Sequence, residues 1–87
     1  MRVHFTEIGW EDHLSWREDV EVSAKIIAFI EEIRRTPFTG TGKPEPLKGP
    51  LSGWWSRRIT REHRLVYAVE GKGAGKHVTI ARCRDHY

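Results

Sequence analysis

Residues 54–69 read Trp-Trp-Ser-Arg-Arg-Ile-Thr-Arg-Glu-His-Arg-Leu-Val-Tyr-Ala-Val, two β-favouring runs joined by a short polar connection. Aromatic and β-branched residues are enriched in strands, so these runs predict two strands joined by residues 61–63. A third strand is predicted from Val78 to about Cys83, after the glycine-rich turn at residues 71–76. Three strands joined by short turns form an antiparallel meander.

The register of the first hairpin determines which arginine faces the second strand. A five-residue connection places Arg58 opposite Arg64, whereas a four-residue connection places Arg57 there, and the sequence does not distinguish them. Because side chains alternate along a strand, Trp54 and Trp55 point to opposite faces. One of them is expected in the core, and the other either packs there as well or offers a surface for stacking.

The chain upstream of the meander begins with a short strand and a short helix. Val3 and Phe5 alternate with polar neighbours, which predicts a strand over residues 1–6 with one face buried. Thr6 is a suitable N-cap for a helix that runs to about Arg17.

A second, longer helix is predicted from Asp19, a suitable N-cap, to the residues before Pro37. It carries an apolar stripe at helical spacing, formed by Val22, Ile26, Phe29, Ile30 and Ile33. Two helices ahead of a meander predict an α+β fold, in which two N-terminal helices pack on a small, mostly antiparallel twisted sheet. The length of 87 residues predicts a single domain, 1–87.

Composition narrows the possible classes of protein. The lone Cys83 allows no internal disulfide, which a secreted domain of this size normally needs, so a cytoplasmic location is expected. No apolar run approaches the roughly 20 residues of a membrane span. The histidines lack a paired metal-ligand spacing, and Ala74-Gly75-Lys76 lacks the residues that complete a phosphate-binding loop. We therefore predict no metal, no cofactor and no membrane partner.

Charge is distributed unevenly along the chain. Residues 1–42 contain five Lys/Arg and eight Asp/Glu, whereas residues 43–87 contain ten Lys/Arg and four Asp/Glu. The two halves therefore have net charges of −3 and +6. A basic half is typical of proteins that bind a polyanion, although charge also serves solubility, and this pattern alone does not separate the two.

Residues 36–53 hold four prolines and four glycines, which predicts a stiff loop between the second helix and the meander. Within it, Lys43-Pro44-Glu45-Pro46-Leu47-Lys48 places one carboxylate between two prolines and two lysines. A proline disfavours the α conformation in the residue before it, so Lys43 and Glu45 are expected in extended backbone. A carboxylate held this stiffly among cations is either a structural ion pair or a catalytic group kept in position.

The residue types needed for metal-free RNA cleavage are present in the chain. Such cleavage requires a base for the ribose 2′-OH, cations for the phosphoryl oxygens and an acid for the departing 5′-oxygen. The candidates are Glu45 for the base, Lys48, Arg58 and Arg64 for the cations, and His86 with Tyr87 at the end of the sequence. Histidine titrates near neutral pH, and an aromatic ring can stack on a base.

A family pattern is recognisable at residues 34–38, 40–48, 51–53, 55–59 and 63–67, at Cys83-Arg84 and at His86-Tyr87. Through these residues the sequence resembles the YoeB (Txe/YoeB) toxins over nearly its whole length. It departs from the usual pattern in the longer, glycine-rich turn at 70–77 and in Asp85.

This resemblance implies a RelE-like α+β fold and an endoribonuclease toxin that cleaves mRNA in the ribosomal A site. By position, it implies that Glu45 is the general base, His86 the general acid, Arg64 the stabiliser of phosphate charge and Tyr87 the orienting aromatic. It also implies RNA or phosphate contacts, to which we assign Lys43, Lys48, Arg58 and Arg84.

The implied partners are mRNA and the ribosome, a YefM-like antitoxin and a second copy of the chain, with DNA reached only through the antitoxin. Two alternatives are a non-catalytic, ParE-like inhibitor of gyrase and a basic RNA-binding module. The combined presence of Glu45, His86 and Tyr87 argues against the ParE-like alternative.

Overall fold

The computed structural model describes residues 1–85, and the predictions for His86 and Tyr87 lie outside the described residues. The elements in chain order are β1 (Arg2–Phe5), α1 (Glu7–Ser15), α2 (Val20–Arg35), β2 (Glu45–Pro46), β3 (Trp55–Arg58), β4 (Arg64–Glu70) and β5 (His77–Arg82). Short 3₁₀ turns lie at Gly49–Leu51 and Gly73–Gly75. No helix within residues 1–85 is long and apolar enough to cross a membrane.

The five strands form one sheet in the order β1-β5-β4-β3-β2. The predicted meander of β3, β4 and β5 is antiparallel, and β2 pairs antiparallel with β3 at one edge. At the other edge β1 pairs parallel with β5, so that Arg2 lies opposite His77. The predicted α+β fold, with two helices packed on a mostly antiparallel sheet, is confirmed.

Helix α1 approaches the sheet through a glycine rather than through large apolar side chains. The Thr6 hydroxyl accepts a hydrogen bond from the Gly9 N–H at 3.0 Å, which confirms the predicted N-cap. Gly9 is buried, and a side chain there would collide with the Ile80 carbonyl. Ile8 and Trp10 remain about half exposed. The helix ends at Ser15, two residues before the predicted end.

Helix α2 supplies one side of the core through the predicted stripe. Asp19 accepts a hydrogen bond from the Val22 N–H at 3.1 Å as its N-cap. Its buried residues are Ile26, Phe29, Ile30 and Ile33. They pack with buried residues of the sheet and its connections, including Ile59, Leu65, Tyr67, Val78, Ile80 and Cys83. Burying a side chain of this size stabilises the fold by roughly 1.5–3 kcal/mol.

One charged cluster lies inside this apolar core. Arg57 is completely buried, and its Nη1 donates to the Glu32 carboxylate and to the Thr41 carbonyl (3.1 Å). Its Nη2 donates to the carbonyls of Thr36 (2.9 Å) and Thr39 (2.8 Å). The fifth donor, Nε, reaches the Tyr67 hydroxyl at 3.3 Å. We call Arg57 with these five acceptors the Arg57 cluster.

Acid should destabilise the protein partly through Glu32. The backbone hydrogen bond from Thr41 lowers the pKa of Glu32 below its usual 4.5, and the Thr41 hydroxyl and Arg57 act in the same direction against desolvation. A carboxyl group whose pKa is lower in the folded than in the unfolded protein stabilises the fold at pH values above its unfolded pKa. That stability is lost as the pH falls through its folded pKa. We therefore expect the free energy of unfolding to fall from about pH 5 to about pH 3 by more in the native protein than in Glu32→Gln.

Urea denaturation over this pH range measures the effect. Glu31→Gln is the matched control. It removes the neighbouring exposed carboxylate, whose Oε1 lies 3.0 Å from Arg34 Nη1. Parallel pH curves for the native protein and Glu32→Gln would show that Glu32 does not carry the effect.

Cys83 should be chemically silent in the folded protein. The side chain is fully buried, and burial together with the nearby Asp12 carboxylate raises the pKa of its thiol to about 12. Because the thiolate is the reactive form, we expect negligible labelling by iodoacetamide at neutral pH in buffer and complete labelling in denaturant. Rapid labelling of the native protein would contradict this burial.

Candidate active site

The sheet presents Glu45, Arg58 and Arg64 on one face. Glu45 lies opposite Ser56, and Arg58 lies opposite Arg64. Opposed residues of an antiparallel pair share a face, and so do Ser56 and Arg58, two positions apart on β3. The predicted base and two of the predicted cations therefore come together.

The opposite face of β3 and β4 belongs to the core. Trp55 lies opposite Tyr67, and Arg57 lies opposite Leu65. The five-residue connection is thus the correct one, and the alternative that placed Arg57 opposite Arg64 is wrong. Both tryptophans are half-buried, but only Trp55 packs against the core cluster, with its ring centre 4.8 Å from that of Phe38.

Arg64 is held in place by the turn that precedes it. Its Nη1 donates to the carbonyls of Thr60 (2.9 Å), Arg61 (3.0 Å) and His63 (3.2 Å). No carboxylate within residues 1–85 forms an ion pair with Arg64 or with Arg58 opposite it. Like charges directly opposite on neighbouring strands are unfavourable, so an anion such as a phosphate would relieve the repulsion.

Glu45 lies exposed on the short edge strand β2, and its predicted extended backbone is confirmed. The same prediction for Lys43 is wrong, because its φ is 52°. The Gly42 carbonyl accepts a hydrogen bond from the Arg58 N–H at 2.7 Å, and the chain must turn at Lys43 to bring Glu45 opposite Ser56. Proline disfavours the right-handed α conformation before it, but pairing with β3 selects the left-handed one here.

Lys43 and Lys48 flank Glu45 along the same edge, and both residues are exposed. Lys48 directly precedes the 3₁₀ turn, and the segment is fastened beside it by buried Leu47, whose N–H donates to the Trp54 carbonyl at 2.9 Å. The loop predicted over residues 36–53 therefore contains a short strand, β2, and this turn, which corrects that prediction. The roles of both lysines in binding RNA stay predictions.

The Arg84 side chain contacts residues at the end of α1 rather than Arg58 and Arg64. Its guanidinium lies 4.2 Å from the centre of the Trp16 ring, and its Nη1 donates to the Ser15 hydroxyl at 3.0 Å. The structure thus does not bring the Arg84 guanidinium together with Arg58 and Arg64.

The chain leading to residue 85 is fastened at successive positions. The Asp12 carboxylate accepts from Arg82 Nε (2.9 Å) and from the Cys83 N–H (3.1 Å). The hydrogen bond to Asp12 raises the pKa of the Arg82 guanidinium, which therefore stays charged. Trp16 Nε1 donates to the Cys83 carbonyl at 2.9 Å. The chain thus leaves β5 along a path fixed by Asp12 of α1 and by Trp16, the residue after α1.

The next fastening joins Asp85 to the residues around Arg64. The Arg64 N–H donates to the Asp85 carbonyl at 3.1 Å, and the Asp85 N–H donates to His63 Nδ1 at 2.7 Å. Because Nδ1 accepts, neutral His63 carries its proton on Nε2. These two hydrogen bonds hold Asp85, the residue before His86 in the sequence, beside Arg64 at the start of β4.

Sequence reasoning missed Asp12, Trp16 and His63 as residues that position residues 82–85. Their hydrogen bonds join positions far apart in sequence, and no local pattern marks them. Across residues 1–85, no group of three or more His, Cys, Asp or Glu side chains is placed to hold a metal ion.

A family model for YoeB-like toxins of bacterial type II toxin–antitoxin systems matches residues 5–87. The chain belongs to the YoeB toxin family. Toxin YoeB of Escherichia coli K12 is 53% identical to it over 88 residues, which cover 100% of both chains. The resemblance noted from the sequence is thereby confirmed.

Solved structures agree with this membership. A YoeB/ParE toxin from Agrobacterium tumefaciens superposes with a TM-score of 0.95 at 46% identity, covering 100% of both chains. YoeB from Staphylococcus aureus is known as a dimer (TM-score 0.88) and in a heterotetrameric complex with YefM (TM-score 0.87), each at 38% identity and covering 100% of this chain and 98% of the other.

The RelE-like fold of this YoeB-family chain is confirmed as well. A chain of the RelBE2 toxin–antitoxin complex from Mycobacterium tuberculosis superposes with a TM-score of 0.71, covering 98% of this chain and 96% of that chain. At 23% identity this likeness concerns the fold alone.

Proposed function

We propose that this YoeB-family toxin is an mRNA interferase, a metal-independent endoribonuclease that cleaves mRNA in the ribosomal A site and stops translation. The observation that carries the proposal is the shared sheet face of Glu45 and the opposed arginines Arg58 and Arg64. That face combines a proton acceptor with two cations, of which Arg64 is held by main-chain carbonyls. These are the two elements that attack by a ribose 2′-OH requires.

The proposed reaction moves one proton at each end of the displacement. Glu45 removes the proton from the 2′-OH, the 2′-oxygen attacks phosphorus, and the bond to the 5′-oxygen breaks. Arg64 stabilises the charge on the phosphoryl oxygens, and His86 gives a proton to the departing 5′-oxygen. The products are a 2′,3′-cyclic phosphate and a 5′-hydroxyl.

The remaining roles concern binding of the RNA. Lys43, Lys48 and Arg58 are proposed to contact phosphates along the edge that carries Glu45. Tyr87 is proposed to stack on a base. The roles of Tyr87 and His86 both rest on the family resemblance. Arg84 is the weakest member of the set, because Trp16 and Ser15 already engage its guanidinium.

The proposed partners follow from the relatives. S. aureus YoeB is solved both as a dimer and bound to YefM, which supports a homodimer and a YefM-like antitoxin for this chain. We propose that it reaches DNA only through that antitoxin. A toxin that acts on translating ribosomes works in the cytoplasm.

Primer-extension mapping of mRNA breaks, with and without ribosomes, tests the proposal. We expect breaks at codons in the A site only when ribosomes are present. A Glu45→Gln protein in the same assay is the control for contaminating nuclease. Intact mRNA together with inhibited gyrase would instead support the ParE-like alternative.

A further inference from the structure

Arg57 occupies an unusual place relative to the proposed base. It lies on β3 between Ser56, which is opposite Glu45, and Arg58, yet its side chain points to the core and is completely buried. A buried guanidinium is unfavourable unless all its N–H groups are paired. The Arg57 cluster offers an acceptor for each of the five N–H groups of the side chain, and Nη2 also lies 3.5 Å from the Pro37 carbonyl.

Three of those acceptors are main-chain carbonyls of residues 36–42, the part of the connection between α2 and β2 that we call the loop 36–42. A fourth, the Tyr67 hydroxyl, donates in turn to the Pro37 carbonyl at 2.5 Å. The Glu32 carboxylate binds the loop as well as Arg57, because it also accepts a hydrogen bond from the Thr41 N–H at 2.7 Å. The loop is therefore wrapped around a single cationic side chain.

The glycines of this loop show how close the wrapping is. Gly40 and Gly42 have φ values of 121° and 79°, where other residues are strained. A Cβ on Gly40 would collide with the Glu32 carboxylate, and one on Gly42 would lie 2.7 Å from the Phe29 ring. The Gly42 carbonyl then joins β3 through the Arg58 N–H.

Glu45 comes three residues after Gly42 and two residues before buried Leu47, whose N–H donates to the Trp54 carbonyl at 2.9 Å. Strand β2 has two residues at the edge of the sheet, and the Glu45 carboxylate accepts no hydrogen bond from any side chain or N–H group within residues 1–85. The position of this exposed carboxylate therefore depends on the backbone on both sides of it, on residues 36–42 before it and on Leu47 after it.

We propose that Arg57 is a positioning residue for Glu45, acting from the opposite face of the sheet through Glu32 and the loop 36–42. This inference rests on the proposed function. Arg57 itself touches no substrate, so loosening its cluster should slow the chemical step without weakening the binding of ribosome and mRNA. A displacement of about 1 Å in a catalytic group can cost as much as 10²-fold in rate.

The test uses Glu32→Gln, because loss of Arg57 itself leaves the Glu32 charge without its partner and can prevent folding. The glutamine side chain keeps a carbonyl oxygen for Thr41 and Arg57 but lacks the charge. The control is Glu31→Gln, one position earlier on α2, where the carboxylate pairs with exposed Arg34. Each protein is assayed in single turnover on saturating programmed ribosomes, at a temperature where circular dichroism shows it folded.

We expect Glu32→Gln to lower the single-turnover rate about tenfold or more, with ribosome binding unchanged within about twofold and Glu31→Gln equal to the native protein. In a Glu45→Gln background, Glu32→Gln should cause no further loss, because the group it positions is already absent. The same tenfold loss in that background would indicate a general structural role and overturn the inference.

Two other outcomes separate this inference from the proposed function. If Glu45→Gln abolishes cleavage but Glu32→Gln cleaves like Glu31→Gln, the positioning role is wrong and the proposed function stands. If Glu45→Gln cleaves at the native rate, the proposed function fails and the inference fails with it.

Discussion

Glu45→Gln is expected to reduce mRNA cleavage on the ribosome by about 10²–10⁴-fold, the usual contribution of a positioned general base. Glutamine has the same shape but cannot take the proton from the 2′-OH. The side chain is exposed on the edge strand β2, so the free energy of unfolding should change by no more than about 0.5 kcal/mol. Single-turnover cleavage and urea denaturation of the same preparation measure the two effects.

Glu21→Gln is the matched control, because it removes an exposed carboxylate from α2. It should leave both cleavage and stability near native values. A Glu45→Gln protein that is folded and cleaves as fast as this control would exclude Glu45 as the base.

Arg64→Ala is expected to slow cleavage by roughly 10²–10³-fold, about 3–4 kcal/mol of transition-state stabilisation. Three carbonyls of the preceding turn already hold the guanidinium, so it needs no reorganisation when charge grows on the phosphoryl oxygens. Arg64→Lys should recover only part of the rate, because lysine keeps the charge but cannot fork onto two phosphate oxygens.

Arg35→Ala removes an exposed cation from the last turn of α2 and controls for a general loss of positive charge. Cleavage rates are compared at saturating ribosome concentration, and binding is measured separately. Equal losses in Arg64→Ala and Arg35→Ala would mean that Arg64 acts only through net charge.

Much of the fold could be predicted because its determinants are local. The caps Thr6 and Asp19, the apolar stripe of α2 and the β-favouring runs of the meander each lie within a few neighbouring residues. The partner of β1 could not be predicted, because the pairing of Arg2 with His77 depends on the whole chain. Burial of Gly9, with Trp10 left half exposed, likewise follows from how closely α1 approaches β5.

The candidate site was predictable in its residue types but not in its arrangement. Proline and charge marked Glu45, and the arginine-rich hairpin marked Arg58 and Arg64. The hairpin register determines that Arg57 is buried instead of lying on the sheet face of Arg58 and Arg64, and register depends on tertiary packing. Lys43 departed from the expectation for a residue before proline because the sheet pairing of Glu45 outweighs a local preference.

The position of β5 inside the sheet has a consequence for how the molecule is made. Strand β5 separates β1 from β4, so β1 has no partner until residues 77–82 have been synthesised. Pairing Arg2 with His77 closes a loop of about 75 residues, for which chain entropy opposes closure by about 4 kcal/mol. The nascent chain therefore cannot complete its sheet before β5 has been synthesised, and shorter products of this proposed ribosome-directed toxin lack the strand that joins β1 to β4.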